Sequence, residues 1–205
     1  MSSTDRTIRT RTVKPKILYY GTPVVLLTTV NEDGTSNITP MSSAWALGNR
    51  VILGLGEGGK GLENLRRCGE CVINLPDPTM WPQVEALAPL TGKNPVPEAK
   101  ADQFRYEKNK FAAAGLTGIA AEQGKAVRIA ECPIQIEGRL VDIRLTGNPV
   151  RFAIVEVEAL TVHAHEGIVS GEQHIDPAKW SPLIYNFRHY FGLGAELGKT
   201  FRAEV

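Results

Sequence analysis

Continuous apolar runs and short turns alternate over the first part of the chain. The run Val24–Val30 is apolar and β-branched throughout, which predicts a strand covered on both faces. Asn31-Glu32-Asp33-Gly34 is a turn signal, so residues 35–41 are expected to return as the second strand of a hairpin. Further strands are predicted for Arg50–Leu55 and for Glu70–Leu75.

Helical spacing follows the glycine-rich stretch that begins after residue 53. Leu62, Leu65 and Cys68 recur at the spacing of a helix face, and Gly69 supplies a stop. A short helix is predicted at 83–88, after a stretch rich in proline, and a helical patch at 104–114. The rest of the region between residues 89 and 124 is predicted to be loop.

Strand patterns return in the second half of the chain. Residues 126–145 are predicted to form a long bent strand pair, in which Gly138 marks a bulge. A turn at 146–149 and an alternating pattern from Phe152 predict one more strand, and after His174 the chain is irregular and aromatic. Many short strands with few helices favour a closed antiparallel barrel or a sandwich over a doubly wound parallel sheet.

Composition and charge narrow the class of protein. The 205 residues are 42% hydrophobic and 22% charged, as in ordinary globular proteins, and a formal net charge of +1 argues against nucleic-acid binding. No apolar run approaches the roughly 20 residues that cross a bilayer, so no membrane association is expected. We expect residues 1–15 to be a basic lead-in without the apolar segment of a targeting peptide, residues 16–205 to form a single domain, and the protein to be cytoplasmic.

Two motifs could indicate redox or metal chemistry. Cys68 and Cys71 are spaced as Cys-x-x-Cys, but a zinc site needs further ligands and a thioredoxin-like pair would open a helix instead of closing one. We therefore interpret both as small buried hydrophobes. His163 and His165 would share one face of a strand, where a metal site and a position at the edge of a cofactor are alternatives to a polar strand face, the preferred interpretation. No metal ligand is assigned.

A glycine-rich loop, Gly-Leu-Gly-Glu-Gly-Gly-Lys-Gly at 54–61, lies between a predicted strand and a predicted helix. Unpaired backbone N–H groups at a helix start favour an anion, and Lys60 adds a positive charge, so a phosphate group is the natural ligand. The spacing also fits a P-loop, but Gly61 stands where that motif needs Ser or Thr to hold Mg²⁺. A flexible loop with an exposed lysine is the structural alternative.

A second polar segment, Asn37-Ile38-Thr39-Pro40-Met41-Ser42-Ser43, lies at the end of a predicted strand. Its amide and hydroxyl groups can hydrogen-bond the carbonyls and nitrogens of a heterocycle, although by itself the segment could be an ordinary turn. Taken with the glycine-rich loop, it offers one site for a planar ring and one for a phosphate. That layout fits a mononucleotide cofactor.

On these residues the chain resembles the flavin reductase-like family of FMN-binding split β-barrel proteins. The resemblance extends over roughly residues 20–195 and lies in the order and spacing of several short motifs. These motifs are Thr22–Thr29, Asn37–Ser43, Leu62–Leu65, Glu70–Pro76, Lys110-Phe111 with Gly115–Thr117, Ile175-Asp176, Pro182-Leu183 and Tyr190-Phe191. It implies a mainly β protein, an antiparallel split β-barrel with a few short peripheral helices, that works as a homodimer with the flavin near the interface.

The resemblance also implies where FMN binds. The implied ring contacts come from Asn37, Thr39, Met41, Ser42 and Ser43, the implied phosphate contacts from Gly58, Gly59, Lys60 and Gly61, and Asn64 and Tyr190 are further candidates. Position 61 carries a threonine or similar residue in the family, and the extra glycines could substitute for its hydroxyl with backbone N–H groups.

Flavin carries hydride chemistry, while a protein supplies binding and orientation. The resemblance therefore implies an oxidoreductase that passes a hydride from NAD(P)H to FMN, and onward to a second flavin, a partner monooxygenase or another acceptor. Tyr190 or one of the histidines could border the position of the nicotinamide. The alternative is an FMN-binding electron carrier or flavin-holding protein without a nicotinamide site, and a metal-dependent enzyme built on the histidines is a third hypothesis.

Overall fold

The computed structural model describes residues 8–149 and 151–201. The strands are β1 Tyr20–Pro23, β2 Val25–Val30, β3 Ser36–Met41, β4 Ala44–Leu47, β5 Arg50–Gly56, β6 Glu70–Leu75, β7 Leu90–Thr91, β8 Arg105–Tyr106, β9 Gly118–Ile119, β10 Arg128–Ile129, β11 Ile134–Leu145, β12 Phe152–Ala164, β13 Val169–Ser170, β14 His174–Ile175, β15 Ile184–Asn186 and β16 His189–Phe191. The helices are α1 Lys60–Cys68, α2 Trp81–Leu87 and α3 Lys110–Ala114, and short 3₁₀ helices occupy Pro78–Met80, Glu98–Lys100 and Glu166–Ile168.

The main sheet has seven strands in the order β3-β2-β6-β11-β12-β5-β4, and the pairs are antiparallel. Its two edge strands, β3 and β4, follow each other in the chain, so the sheet curls until its ends meet at Ser42 and Ser43. There the amide of Gly54 donates to the carbonyl of Ser43 at 2.7 Å, while β3 and β4 themselves do not pair. The predicted antiparallel split β-barrel with short peripheral helices is confirmed.

The two larger hydrophobic cores use the two faces of the sheet, and a small third cluster holds Val30, Val72 and Ala126. On β2, Val25 and Leu27 pack with Leu62 and Leu65 of α1, whereas Leu26 packs on the opposite face with residues of α2. All six residues of β2 are buried, as the continuous apolar run predicts. The strand is therefore the central wall between the two cores, and α1 closes one of them.

Several local predictions are confirmed. The hairpin β2–β3 pairs as predicted, the helix α1 ends at Gly69 with a φ of 71°, and the register between β11 and β12 shifts at Glu137 and Gly138, where the bulge was expected. The turn, stop and bulge signals that predict these features depend on residues adjacent in sequence.

Two local predictions are wrong. The patch 104–114 is helical only from Lys110, because Asn109 caps α3 with its side chain and residues before it form β8. Residues 134–145 are one strand of 12 residues instead of half of a local pair, since β11 pairs with β6 and β12. His163 lies in β12, and His165, just after its end, is extended and donates its amide to the carbonyl of Pro133 at 2.9 Å, so the prediction that the two histidines share a face stays a prediction.

The predicted lead-in, residues 1–15, falls partly outside the described residues, which begin at Ile8. Residues 8–15 form no regular element and are exposed. Within the described part of the chain, no helix is long and apolar enough to cross a membrane.

Glu137 connects β11 to the loop that precedes β10. Its side chain is 3% exposed, accepts hydrogen bonds from the amides of Glu122 and Gln123 at 2.8 and 2.7 Å, and lies 2.8 Å from Nε2 of His163. Burial alone would raise the pKa of Glu137, but these hydrogen bonds outweigh it and hold the pKa below its ordinary value of 4.5. The carboxylate is thus a fastening point for the loop.

We expect Glu137→Gln to lower the free energy of unfolding at neutral pH by about 1–3 kcal/mol, because the loop amides lose a charged acceptor. The stabilisation from a lowered pKa is present above about pH 4.5 and is lost as the pH falls through the pKa of the folded state. Denaturant unfolding at neutral and acidic pH should therefore give a difference between wild type and variant that shrinks in acid. Glu122→Gln is the control, since its backbone amide still reaches Glu137; a difference independent of pH would contradict this role.

Candidate functional site

The predicted ring and phosphate segments meet where β3 crosses the start of α1. A Cβ atom added to Gly61 would lie 2.5 Å from Oγ1 of Thr39, so only glycine fits at this position while the threonine stays in place. The hydroxyl of Thr39 therefore occupies space beside the first turn of α1. A segment predicted to bind the ring thus lies in direct contact with the helix start predicted to bind the phosphate.

The start of α1 leaves backbone N–H groups without helical partners. Gly59 is the N-cap residue and provides no side-chain cap, and its carbonyl accepts the first helical hydrogen bond from the amide of Glu63 at 3.2 Å. The amides of Lys60, Gly61 and Leu62 precede that bond and have no carbonyl four residues back within the helix. These groups and the positive end of the helix dipole favour an anion beside the glycine-rich loop.

Lys60 is held by two carboxylates in the structure. Its Nζ donates to both carboxylate oxygens of Glu32 at 2.8 and 2.7 Å and to Oε1 of Glu63 at 2.7 Å. Lys93 forms an ion pair with the other oxygen of Glu63. The side chain of Lys60 is only 12% exposed, so the mobile, exposed lysine expected from the glycine-rich loop is instead part of a chain of ion pairs.

Asn37 lies beside this ion-pair chain and is 2% exposed. Its Nδ2 donates to Oγ1 of Thr39 at 3.1 Å, while its Oδ1 is buried without a hydrogen-bond partner and lies close to Gly92, where a Cβ would approach to 2.5 Å. Since a threonine hydroxyl can donate or accept, the amide of Asn37 could present either of its ends to a ligand. The unsatisfied atom marks a polar position without a protein partner among the described residues.

Asn37, Lys60 and Glu63 share a cavity of about 370 Å³ with the turn that follows β2. The segment 92–94 and the residues Tyr106, Glu107 and Lys108 complete its wall. Four carboxylates and three lysines line it, so the charges nearly balance. The cavity suits a polar ligand that exchanges hydrogen bonds with these groups.

The ring segment continues through Met41, Ser42 and Ser43, all half-buried. Met41 packs against the core that α1 closes, and Ser43 is fixed by two contacts. Its carbonyl accepts from Gly54, and its Oγ lies 2.7 Å from the hydroxyl of Tyr19. The segment is therefore tied to β5 on one side and to the chain before β1 on the other.

Asn64 and Tyr190, the two further candidates for flavin contact, are both engaged in contacts within the protein. Asn64 is fully buried, and its Nδ2 donates to Thr29 and Asn31, so it fastens α1 to β2. Tyr190 packs in the core on the opposite face of the sheet from Met41 and donates its hydroxyl to Glu85 at 3.0 Å. Burial and that hydrogen bond raise the pKa of Tyr190.

The cysteines and histidines considered for redox and metal chemistry are buried or contact other groups of the protein. Cys71 is buried, which raises the pKa of its thiol to about 12, and the carbonyl of Val30 lies 3.8 Å from Sγ of Cys68. His163 contacts Glu137, and Nε2 of His165 lies 2.8 Å from the carbonyl of Ala130. In residues 8–149 and 151–201, no group of three or more His, Cys, Asp or Glu side chains is placed to hold a metal ion.

The sequence did not identify several residues that shape this site. Lys110 is 3% exposed and donates to the carbonyl of Ile38 at 2.7 Å, so it fastens the free edge of β3 between Asn37 and Thr39. Burial lowers its pKa to about 8. The Lys-Phe motif contains Lys110 but does not indicate its role, and no motif indicates a role at the site for Tyr19, Glu32 or Lys93.

Comparison with known proteins identifies the same family that the sequence motifs resemble. A family model described as flavin reductase like domain matches residues 17–194. The chain is 57% identical over 200 residues, covering 97% of both chains, to the uncharacterized protein YdfE of Bacillus subtilis (strain 168).

Solved structures with the same fold include the following two. Flavoredoxin of Desulfovibrio vulgaris (Miyazaki F) is similar with a TM-score of 0.78 at 22% identity, over 95% of this chain and 99% of that one. Nitrilotriacetate monooxygenase component B from Bacillus cereus is similar with a TM-score of 0.71 at 19% identity, over 97% of this chain and 98% of that one.

Proposed function

This chain belongs to the flavin reductase-like family, and from that premise we propose that it binds FMN and passes a hydride from NAD(P)H to the flavin. The single observation that carries the proposal is the contact between Thr39 of the ring segment and Gly61 at the start of α1. It brings a polar strand end and an anion-binding helix start within reach of one mononucleotide.

The residues present fit such a cofactor. The unsatisfied oxygen of Asn37 offers a polar position beside the ring segment, and the N–H groups at the start of α1 offer donors for a phosphate. Thr39 also supplies a hydroxyl next to Gly61, where the family has a hydroxyl-bearing side chain. Thr39 on the facing strand can therefore supply the hydroxyl that Gly61 lacks.

Each part of the site has a distinct task in the proposed activity. The flavin supplies the hydride chemistry when it is bound. Thr39, Ser42 and Ser43 would orient the ring, Met41 would pack against it, and Lys60 with the first turn of α1 would hold the phosphate. Lys110 keeps the carbonyl of Ile38 in place and so fixes the strand on which the ring contacts lie. No side chain has to act as an acid or base.

We also propose that the chain works as a homodimer. Trp45 and Leu47 of the edge strand β4 are 59% and 75% exposed, and they directly follow Ser42 and Ser43. Burying these side chains against a second copy would place that copy next to the ring segment. A partner that receives reduced flavin is a further part of the proposal, supported by the fold shared with a monooxygenase component.

Titration of FMN into the purified protein, followed by anaerobic addition of NADH or NADPH, tests this function. We expect saturable quenching of flavin fluorescence and then bleaching of the absorbance at about 450 nm, because NAD(P)H reduces a flavin that the protein positions. Free FMN at the same concentration is the control for the uncatalysed reaction. Flavin binding with bleaching by dithionite alone would instead favour the electron carrier, and absence of flavin binding would reject both.

A further inference from the structure

The ammonium group of Lys60 has all its hydrogen bonds in use. A lysine ammonium has three donors, and Nζ makes contacts of 2.8, 2.7 and 2.7 Å with two oxygens of Glu32 and one of Glu63. A phosphate oxygen that binds to this ammonium must therefore replace a carboxylate oxygen. The positive charge of Lys60, which could bind an anion, is therefore already paired with carboxylates of the same chain.

Of the two carboxylates, Glu32 is the one that can leave. Glu63 lies on α1 and is also paired with Lys93, whereas Glu32 lies in the turn between β2 and β3 and is 55% exposed. Its other cation, Arg67, is 3.9 Å away. The turn can release the side chain of Glu32 to water without disturbing the sheet.

We propose that Glu32 competes with the flavin phosphate for Lys60 and makes FMN an exchangeable ligand of this site. The inference rests on the proposed function and adds to it how the phosphate is held. A site of this kind gains little from the phosphate, so FMN binds only modestly better than riboflavin, which has the same ring and no phosphate. A protein that hands reduced flavin to an acceptor benefits from such release.

Equilibrium titration of FMN and of riboflavin, followed by flavin fluorescence, tests the proposal in four variants and the wild type. Glu32→Gln removes the competing charge, and Lys60→Gln removes the group for which it competes. The double variant tests whether the two act together. Glu158→Gln is the matched control, because it removes a carboxylate from another ion pair, with Arg139, on the strand β12.

We expect Glu32→Gln to tighten FMN binding about fivefold, the scale of a half-exposed ion pair, and to leave riboflavin binding unchanged. Glu158→Gln should change neither affinity, and in the Lys60→Gln background the effect of Glu32→Gln on FMN should vanish. The dissociation rate of FMN, measured by stopped flow, should fall in Glu32→Gln.

Three results would overturn the proposal. FMN affinity that stays the same or weakens in Glu32→Gln would show that Glu32 does not compete with phosphate. An equal change for riboflavin would show that Glu32 acts on the fold, and an effect on FMN alone that persists without Lys60 would show that Glu32 repels the phosphate directly instead of competing for Lys60. If both flavins bind the wild type, any of these leaves the proposed function intact, whereas a wild type that binds neither flavin rejects the function and this inference together.

Discussion

Reversing the charge of Lys60 with Lys60→Glu is expected to weaken FMN binding by about 100-fold, because a third carboxylate would face the phosphate beside Glu32 and Glu63. The loss arises at a site that is 12% exposed, where charges are screened less than on an open surface. Riboflavin has no phosphate and should lose much less affinity. Lys60→Gln, which removes the charge without reversing it, should lie between the wild type and Lys60→Glu.

The measurement is again a fluorescence titration with both flavins, accompanied by a thermal unfolding curve to show that each variant is folded. Lys125→Glu is the matched control, since Lys125 is exposed and lies outside the site. Unchanged FMN affinity in a folded Lys60→Glu variant would mean that the phosphate binds elsewhere on the protein.

Gly61→Ala is expected to destabilise the protein by about 1–3 kcal/mol, because the added methyl group would approach Oγ1 of Thr39 to 2.5 Å and force α1 away from β3. Alanine normally stabilises a helix relative to glycine by roughly 0.5–1 kcal/mol, so a loss at this position has the opposite sign to helix propensity. The shift should also weaken FMN binding, since the ring and phosphate segments meet at this contact.

The double variant Thr39→Ala/Gly61→Ala separates this clash from other effects. Removing the hydroxyl leaves a closest approach of 3.3 Å to Cβ of residue 39, so the double variant should be more stable than the sum of the single changes predicts. Thr39→Ala alone should cost about 1 kcal/mol, because Asn37 loses its hydrogen-bond partner. Denaturant unfolding of all four proteins measures the coupling, and strictly additive changes would argue against the contact.

Much of the framework could be predicted from the sequence because its signals are local. The apolar run of β2, the turn that follows it and the glycine that ends α1 each specify structure over a few neighbouring residues. The edge strand β4 could not be predicted in this way. Its four residues are all apolar and show no alternation with polar ones, and Trp45 and Leu47 are exposed in the structure. The pairing of β11 with β6 could not be predicted either, because β6 precedes it by more than 50 residues.

In the candidate site, too, local features could be predicted and long-range contacts could not. Its two segments could be recognised in the sequence, and so could their order along the chain. The ion pair of Lys60 with Glu32 could not, because Glu32 lies 28 residues away and reaches it only through the pairing of β2 with β3. Tyr190 could not be placed either, since the face of the sheet on which it packs depends on how the end of the chain returns.

The sequence by itself determined the strand and helix signals, the glycine-rich loop before α1 and a polar strand end, since these depend on glycine positions, turns and alternation among neighbouring residues. Only the tertiary structure decided that Thr39 fills the space next to Gly61, that Lys60 is shared between two carboxylates and that Lys110 fastens the edge of β3. Apart from the pair of Lys60 and Glu63 within α1, each of these contacts joins segments distant in the chain. Their existence depends on strand order and register, which no local pattern specifies.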